Sequence, residues 1–313
     1  MIPSRQIVIE AGNRVAAFVH RTPVLTSRLL NEIAGAEIFF KCENLQKMGA
    51  FKMRGAINAI QQLSAAQKKA GVVTHSSGNF GQALALAAQN LGVNAYIVMP
   101  SSAPAVKIEA VKAYGGLVII TEPTLEAREK AAANIVAEKG AVFLHPSNDL
   151  NVILGQGTAA LELLQDQPVL EYIMSPVGGG GLLAGTALAA HYLGDNCRVV
   201  GGEPMEVDDA YRAFKSGKIE YNISANTIAD GLKTNLGDIN FPIIKELVSD
   251  IIRVEEDEII AAMKLIWERM KLVIEPSSAV PFAALLKERE KFKNKKVGII
   301  LSGGNVELSN LPF

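Results

Sequence analysis

One lysine and three short runs of glycine, serine and asparagine are the residues of this chain best suited to chemistry. In Gly178-Gly179-Gly180-Gly181 no residue has a Cβ, so all four amides can approach one anion, and a helix that follows would add its partial positive end. Phosphate is the natural occupant. The competing reading is a tight strand-to-helix turn, which one or two glycines would satisfy. No Gly-Lys-Ser/Thr follows, so this is not a nucleotide-triphosphate loop, and Glu203 meets the dinucleotide pattern of an acidic residue about 20 positions on only weakly. Lys52 lies between Phe51 and Met53. A partly desolvated lysine has a lowered pKa and can form a Schiff base near neutral pH. A lysine alone at a helix start is ordinarily a solvated surface residue. Together with a phosphate cradle it gains meaning, because one kind of cofactor needs both an imine partner and a phosphate anchor.

These residues need elements to hold them. Ser76-Ser77-Gly78-Asn79, the four glycines and Ser302-Gly303-Gly304-Asn305 each follow an apolar run that reads as a strand. In open α/β sheets, ligands sit beyond the carboxyl ends of the strands, so three distant loops can converge on one ligand. From Gly71 onward, β-branched runs (71–75, 95–99, 117–120, 141–144) alternate with helical patterns (82–88, 105–114, 125–138). A second series has strands at 171–174, 198–201 and 297–301, with helices at 182–192, 257–271 and 277–290. Strands apolar throughout and separated by helices predict parallel-rich sheets flanked by helices, an α/β fold. The pattern divides into two units, a small domain over 66–148 and a discontinuous larger one over 1–65 plus 149–313, which Ile38 to Lys41 would join as a strand.

Composition narrows the function classes. The 313 residues are 49% hydrophobic with net charge −1, from 31 basic and 32 acidic side chains, which calls for neither nucleic acid nor an anionic membrane as partner. Cys42 and Cys197 form no CxxC pair, so neither a disulfide framework nor a zinc spacing is expected. The N-terminal residues lack the apolar core of a signal peptide, and no apolar run reaches spanning length. A cytoplasmic location is the expectation.

Phe51-Lys52-Met53-Arg54-Gly55-Ala56, Ser76 to Asn79, Gly155-Gln156-Gly157-Thr158, Gly178 to Gly181 and Ser302 to Asn305 resemble, in order and over nearly the whole chain, the two-domain fold-type-II pyridoxal-phosphate enzymes, whose fold is tryptophan synthase β-like. Within that group the chain is most similar to the serine racemases and short serine/threonine dehydratases, including threo-3-hydroxyaspartate ammonia-lyases. The resemblance implies pyridoxal 5'-phosphate linked as an imine to Lys52, with its phosphate on Gly178, Gly179, Gly180 and Gly181. It further implies Asn79 near the cofactor's 3-hydroxyl, Phe51 against its ring (or simply in the core), and Ser76, Ser77, Gly78 and Asn79 around the substrate carboxylate. Ser302 would face the ring nitrogen. A hydroxyl is too weak an acid to keep that nitrogen protonated, which favours β-elimination over a long-lived carbanion.

Ser77 matches the serine that, in serine racemases, serves the substrate's α-carbon from the face opposite the lysine. Racemisation needs a proton donor on each face and dehydration needs one. The competing role for Ser77 is a helix N-cap. Arg128 matches an arginine able to grip a second substrate carboxylate, although Glu126 and Glu129 beside it equally suit a surface ion pair. Glu203, the Val207 carbonyl and Asp209 match a structural Mg²⁺ or Ca²⁺ site, against the alternative of an acidic solvated loop. Phe80 and Ser147 depart from the mammalian racemases, which have histidine and asparagine there. A homodimer is expected from the family. The implied activity is elimination of water and ammonia from L-serine, L-threonine or L-threo-3-hydroxyaspartate, with racemisation of serine. A β-replacement enzyme of the cysteine synthase type and a non-catalytic ligand-binding relative are the alternatives.

Overall fold

The computed structural model describes residues 2–313. Ten strands build two sheets: β1 (Val24–Leu25), β2 (Glu37–Cys42), β3 (Val72–Thr74), β4 (Ala95–Pro100), β5 (Leu117–Thr121), β6 (Val142–Phe143), β7 (Tyr172–Pro176), β8 (Arg198–Pro204), β9 (Asp250–Val254) and β10 (Lys296–Leu301). The larger sheet has the order β1-β2-β10-β7-β8-β9 and the smaller β5-β4-β3-β6. Every pairing is parallel except β1 with β2. The segment 38–41 thus joins the larger sheet beside the last strand, as its β-rich run predicts.

The central strands read as apolar without interruption because both of their faces are covered. Successive side chains leave a strand on opposite sides, so Ile173, Val199, Ile251 and Ile300 enter one core while Met174, Val200, Ile252 and Ile299 enter another. A third core, under the smaller sheet, joins Val72, Phe80, Leu84 and Ile97 to Met48, Met53 and Ile57 from the chain around Lys52. That shared core holds the Lys52–Gln61 helix between the two sheets.

Two glycines explain why the 155–158 motif has its form. A Cβ on Gly155 would come within 2.5 Å of the Arg54 carbonyl, and one on Gly157 within 2.5 Å of the Gly185 carbonyl. The Leu150–Asp166 helix therefore lies backbone to backbone against both the Lys52–Gln61 helix and the Gly181–Leu193 helix.

The Lys52–Gln61 helix is also pinned by charge. Arg54 is fully buried. Its Nε and Nη2 donate to the Glu43 carboxylate at 2.7 and 2.8 Å, and its Nη1 and Nη2 donate to that of Glu162, both at 2.8 Å. Lys41, equally buried, donates to Glu162 at 2.6 Å and to the Thr22 carbonyl at 2.8 Å. Two cations thus face two carboxylates. Burial disfavours the Arg54 charge, but the two carboxylates outweigh it and raise its pKa. Such a set gives modest net stability when complete and is expensive to break, because a removed partner strands the others in low dielectric. Arg54→Met should therefore destabilise the protein by about 3–5 kcal/mol in urea unfolding; a loss below ~1 kcal/mol, the scale of an exposed ion pair, would contradict this account.

Candidate active site

Lys52 begins its helix directly after a contact between that segment and the end of β10. Ala50 bridges Gly303, the Phe51 amide donates to the Ser302 carbonyl at 2.9 Å, and the Gly304 amide donates to the Gly49 carbonyl at 2.9 Å. This brings the lysine and the serine-glycine loop together although most of the chain separates them. Gly49 can make the approach because it takes φ +77°. The Lys52 Nζ donates to the Pro146 carbonyl at 2.8 Å and lies 4.9 Å from the centroid of the Phe51 ring and 5.9 Å from that of Phe80. Phe51 therefore covers the ammonium while also joining the core. Burial lowers the Lys52 pKa to about 8, opposed by the negative charge of Glu275.

Glu275 was not visible as a site residue in the sequence, where it reads as the residue before a proline that opens a helix. It is buried, and Asn79 Nδ2 donates to both of its oxygens at 3.1 Å. Burial pushes its pKa up to about 7, against the Asn79 hydrogen bond, which lowers it. Asn79 Oδ1 accepts from Asn305 Nδ2 at 2.9 Å, and that same nitrogen donates to the Met48 carbonyl at 3.0 Å. A carboxylate and a carbonyl can only accept, so each amide in this chain has one allowed orientation. Both Asn79 N–H groups go to Glu275, so donation to a further acceptor requires releasing one oxygen of that carboxyl.

Ser302 is buried, with its hydroxyl 3.0 Å from that of Ser278. The Ser278 hydroxyl already donates to the Gly303 carbonyl at 2.7 Å and accepts from the Gly303 amide at 2.7 Å. Its proton is committed, so the proton between the two serines comes from Ser302 and stays there unless a better acceptor takes it. The absence of a carboxylate at this position is as read from the sequence.

Gly178 to Gly181 follow β7 and open the Gly181–Leu193 helix, with Gly180 at φ +78° in the N-cap position. All four are buried, and among the described residues no protein acceptor takes their amides. Four unclaimed buried donors at the positive end of a helix, in a chain that also desolvates a lysine, fit a phosphate-bearing carbonyl cofactor. A side chain on Gly179 would collide with Ser147 Oγ. Ser147 thus packs against the glycine loop. Asn240 Nδ2 ties the Ser147 and Gly179 carbonyls together at 3.0 and 2.8 Å.

The remaining candidates are placed as follows. Ser76, Ser77 and Gly78 form the half-buried loop after β3. The helix after them starts at Asn79 with Gly78 as N-cap and no side-chain cap bond, so Ser77 does not play the capping role. Arg128 is half-buried and donates from Nε to the Thr124 carbonyl at 3.3 Å. Burial lowers the pKa of His75 at the end of β3, and the Arg128 charge lies near enough to lower it further. Glu203 and Asp209 are both buried at the end of β8. Glu203 accepts from the Ala210 and Tyr211 amides at 2.9 and 2.7 Å, and Asp209 from the Leu236 amide at 2.9 Å and Asn222 Nδ2 at 2.7 Å. Burial and the neighbouring Asp209 raise Glu203 well above the usual carboxylate range, and burial raises Asp209 to about 6. Two carboxyl groups are thus buried together with their ionised forms disfavoured, a donor set whose ionisation a divalent cation would favour. Among the described residues no cluster of three His, Cys, Asp or Glu side chains could hold a metal, so any cation here would need backbone carbonyl and water ligands as well.

With Lys52 joined to Ser302 through the Phe51 amide and to the glycine loop through the turn at Pro146 and Ser147, the site is of the pyridoxal-phosphate type. The profile of the pyridoxal-phosphate dependent enzymes matches residues 15–303, and the chain belongs to that family. It is 52% identical over 306 residues to a serine racemase of Dictyostelium discoideum, covering 96% of this chain and 94% of the relative. To a beta-hydroxyaspartate dehydratase of Paracoccus denitrificans it is 46% identical over 312 residues, covering 100% and 99%. The crystal structure of a T.th. threonine deaminase superposes with a TM-score of 0.93 at 41% identity, covering 98% of this chain and 100% of that one.

The influence of the Glu275 charge on Lys52 has a measurable consequence. The carboxylate holds the lysine pKa up, so Glu275→Gln should move it below about 8. The pH dependence of Lys52 acylation in cofactor-free protein, followed by mass spectrometry, reads this directly. A midpoint that stays in place or rises would show that Glu275 does not act on the lysine.

Proposed function

We propose that this protein eliminates water and ammonia from a small hydroxy amino acid, L-serine, L-threonine or L-threo-3-hydroxyaspartate, to give a 2-keto acid, and that it also racemises serine. The observation that carries the reading is Lys52, a buried lysine whose pKa falls to about 8, on a segment bonded to Ser302, a serine rather than a carboxylate. Bound pyridoxal phosphate would supply an electron sink for the substrate's α-carbon.

The chain's own residues divide the work. Gly178 to Gly181 would hold the phosphate through their free amides, Asn79 would donate to the 3-oxygen, and Phe51 would pack on the ring. Ser302 would meet the ring nitrogen without protonating it. Lys52 Nζ would take the α-proton on one face, and its resting acceptor, the Pro146 carbonyl, keeps it aimed. Ser76 to Asn79 would seat the substrate carboxylate, and the Ser77 hydroxyl, free of any capping bond, would serve the α-carbon from the other face. Loss of the β-hydroxyl then yields an enamine, which water converts to keto acid and ammonia. Arg128, close to His75 at the mouth of β3, is the candidate for a second carboxylate and so for hydroxyaspartate. Residues 1–65 plus 149–313 would form a larger domain and 66–148 a smaller one, with the substrate between them. The protein would act as a homodimer in the cytoplasm. Among the described residues no helix is long and apolar enough to cross a membrane.

Keto-acid release from the three amino acids, together with chiral analysis of serine, tests this reading. Ser77→Ala should lower conversion of L- to D-serine by at least about tenfold while keto-acid release persists, since removing one of two proton donors affects only the reaction that needs both. No keto acid from any of the three would overturn the proposal, and equal loss of both activities would remove the special role of Ser77.

Glu203, Asp209 and the Val207 carbonyl would hold Mg²⁺ or Ca²⁺ as a structural ion. EDTA should lower the melting temperature by several degrees, and Asp209→Asn should make the protein indifferent to EDTA. A wild-type melting temperature unchanged by chelation and by added cation would refute the metal assignment.

A further inference from the structure

The turn after β6 links the two halves of the site, and one side chain fixes it. His145 Nδ1 accepts from the Ser147 amide at 3.2 Å and from the Asn148 amide at 2.8 Å. A ring nitrogen that accepts two amide protons is unprotonated, so the imidazole is neutral with its proton on Nε2. Burial, followed by the charges of His75 and Lys52, lowers the pKa of this ring to about 4, which agrees with that tautomer.

The consequence follows from peptide planarity. The Ser147 N–H and the Pro146 carbonyl belong to one rigid plane and point in opposite directions. Holding the N–H therefore aims the carbonyl, and the Pro146 oxygen accepts from Lys52 Nζ at 2.8 Å and from Gln156 Nε2 at 3.0 Å. The next plane behaves likewise. Holding the Asn148 N–H aims the Ser147 carbonyl, which accepts from Asn240 Nδ2 at 3.0 Å, and that nitrogen also binds the Gly179 carbonyl at 2.8 Å. Two consecutive peptide planes, both held by one imidazole, point one carbonyl at the lysine and the next at the glycine loop. Ser147 Oγ against Gly179 adds a direct contact between turn and loop.

We infer that His145 is a positioning residue that sets Lys52 and the Gly178–Gly181 cradle in register with each other through the Pro146 and Ser147 carbonyls. It need touch neither substrate nor cofactor. When Lys52 leaves the Pro146 carbonyl to bond elsewhere, Gln156 and the imidazole still hold the plane, so the turn keeps its shape through the reaction. The inference rests on the assignment of Lys52 and the glycine loop as the cofactor site.

His145→Leu and His145→Asn separate this role from simple packing. Leucine fills space without an acceptor. An asparagine Oδ1 can accept from amides two and three residues on, as in an Asx turn. Equilibrium titration of cofactor-free protein with pyridoxal phosphate should show affinity lowered about tenfold or more in His145→Leu, the effect of about two lost hydrogen bonds, and restored to within about threefold in His145→Asn. Inorganic phosphate, titrated as a second probe, should follow the same order, because it reads the glycine loop without the lysine. Unchanged affinities in His145→Leu, or equal damage in both variants, would overturn the inference. Should His145→Leu not fold, nitrogen NMR of the wild-type imidazole decides: a proton on Nδ1 at pH 7 overturns the inference and an unprotonated Nδ1 supports it. Failure of the wild type to bind pyridoxal phosphate would instead overturn the cofactor assignment itself.

Discussion

Lys52 presents its ammonium to a space bounded by the rings of Phe51 and Phe80, the Pro146 carbonyl and the buried Glu275, and the arrangement of the remaining site follows from keeping that charge out of water. The shift from 10.5 to about 8 weakens the ammonium relative to the neutral amine by roughly 3 kcal/mol compared with water. Such a shift lasts only while the walls stay closed. These walls come from distant parts of the chain, so the fold must assemble the small-sheet helix carrying Phe80, the turn after β6 and the start of the Pro276–Lys287 helix, with Glu275 before it, around one atom. The negative charge of the buried Glu275 opposes the effect and leaves a lysine with a pKa of about 8.

Rigid support for that atom comes from opposite directions. On one side the Arg54 guanidinium clamps the Lys52–Gln61 helix to Glu43 and Glu162 with bonds of 2.7 to 2.8 Å. On the other, backbone bonds between Gly49, Phe51 and the Ser302-to-Gly304 loop fasten the start of the helix to the end of β10. Glycines at 155, 157 and 185 let three helices approach at backbone distance, which leaves little freedom for the lysine's helix to slide. The glycine loop opens the third of these helices, so the lysine and this loop are carried on one packed unit. The Asn79–Asn305–Met48 chain and the turn at His145 then connect the smaller sheet's strand ends to it.

Much of the fold was legible in order. The apolar runs at 71–75, 95–99, 171–174, 198–201 and 297–301 are strands because parallel strands covered on both faces need apolar residues at every position. The glycine loop, Lys52 and Ser302 could be picked out because each departs from what its surroundings would otherwise favour: four glycines where one would turn the chain, a lysine between apolar neighbours, a serine at a strand end. Ser77 carried two readings, and the structure removed the capping one, since the helix begins two residues later.

Glu275, His145, Gln156 and Asn240 could not be found the same way. Nothing near Glu275 marks it as buried, because the groups that bury it come from Asn79, 196 positions away, and from the loop after β10 on its other side in the chain. His145 looks like any strand-end histidine until the two amides that it accepts are located. The local sequence alone determined which backbone could bend, which strands could be covered and which side chains had the right chemistry, since these depend on residue type and short spacing. The tertiary structure decided which of those side chains lost water and what they faced, because desolvation and hydrogen-bond direction are set by chain segments that the sequence keeps far apart.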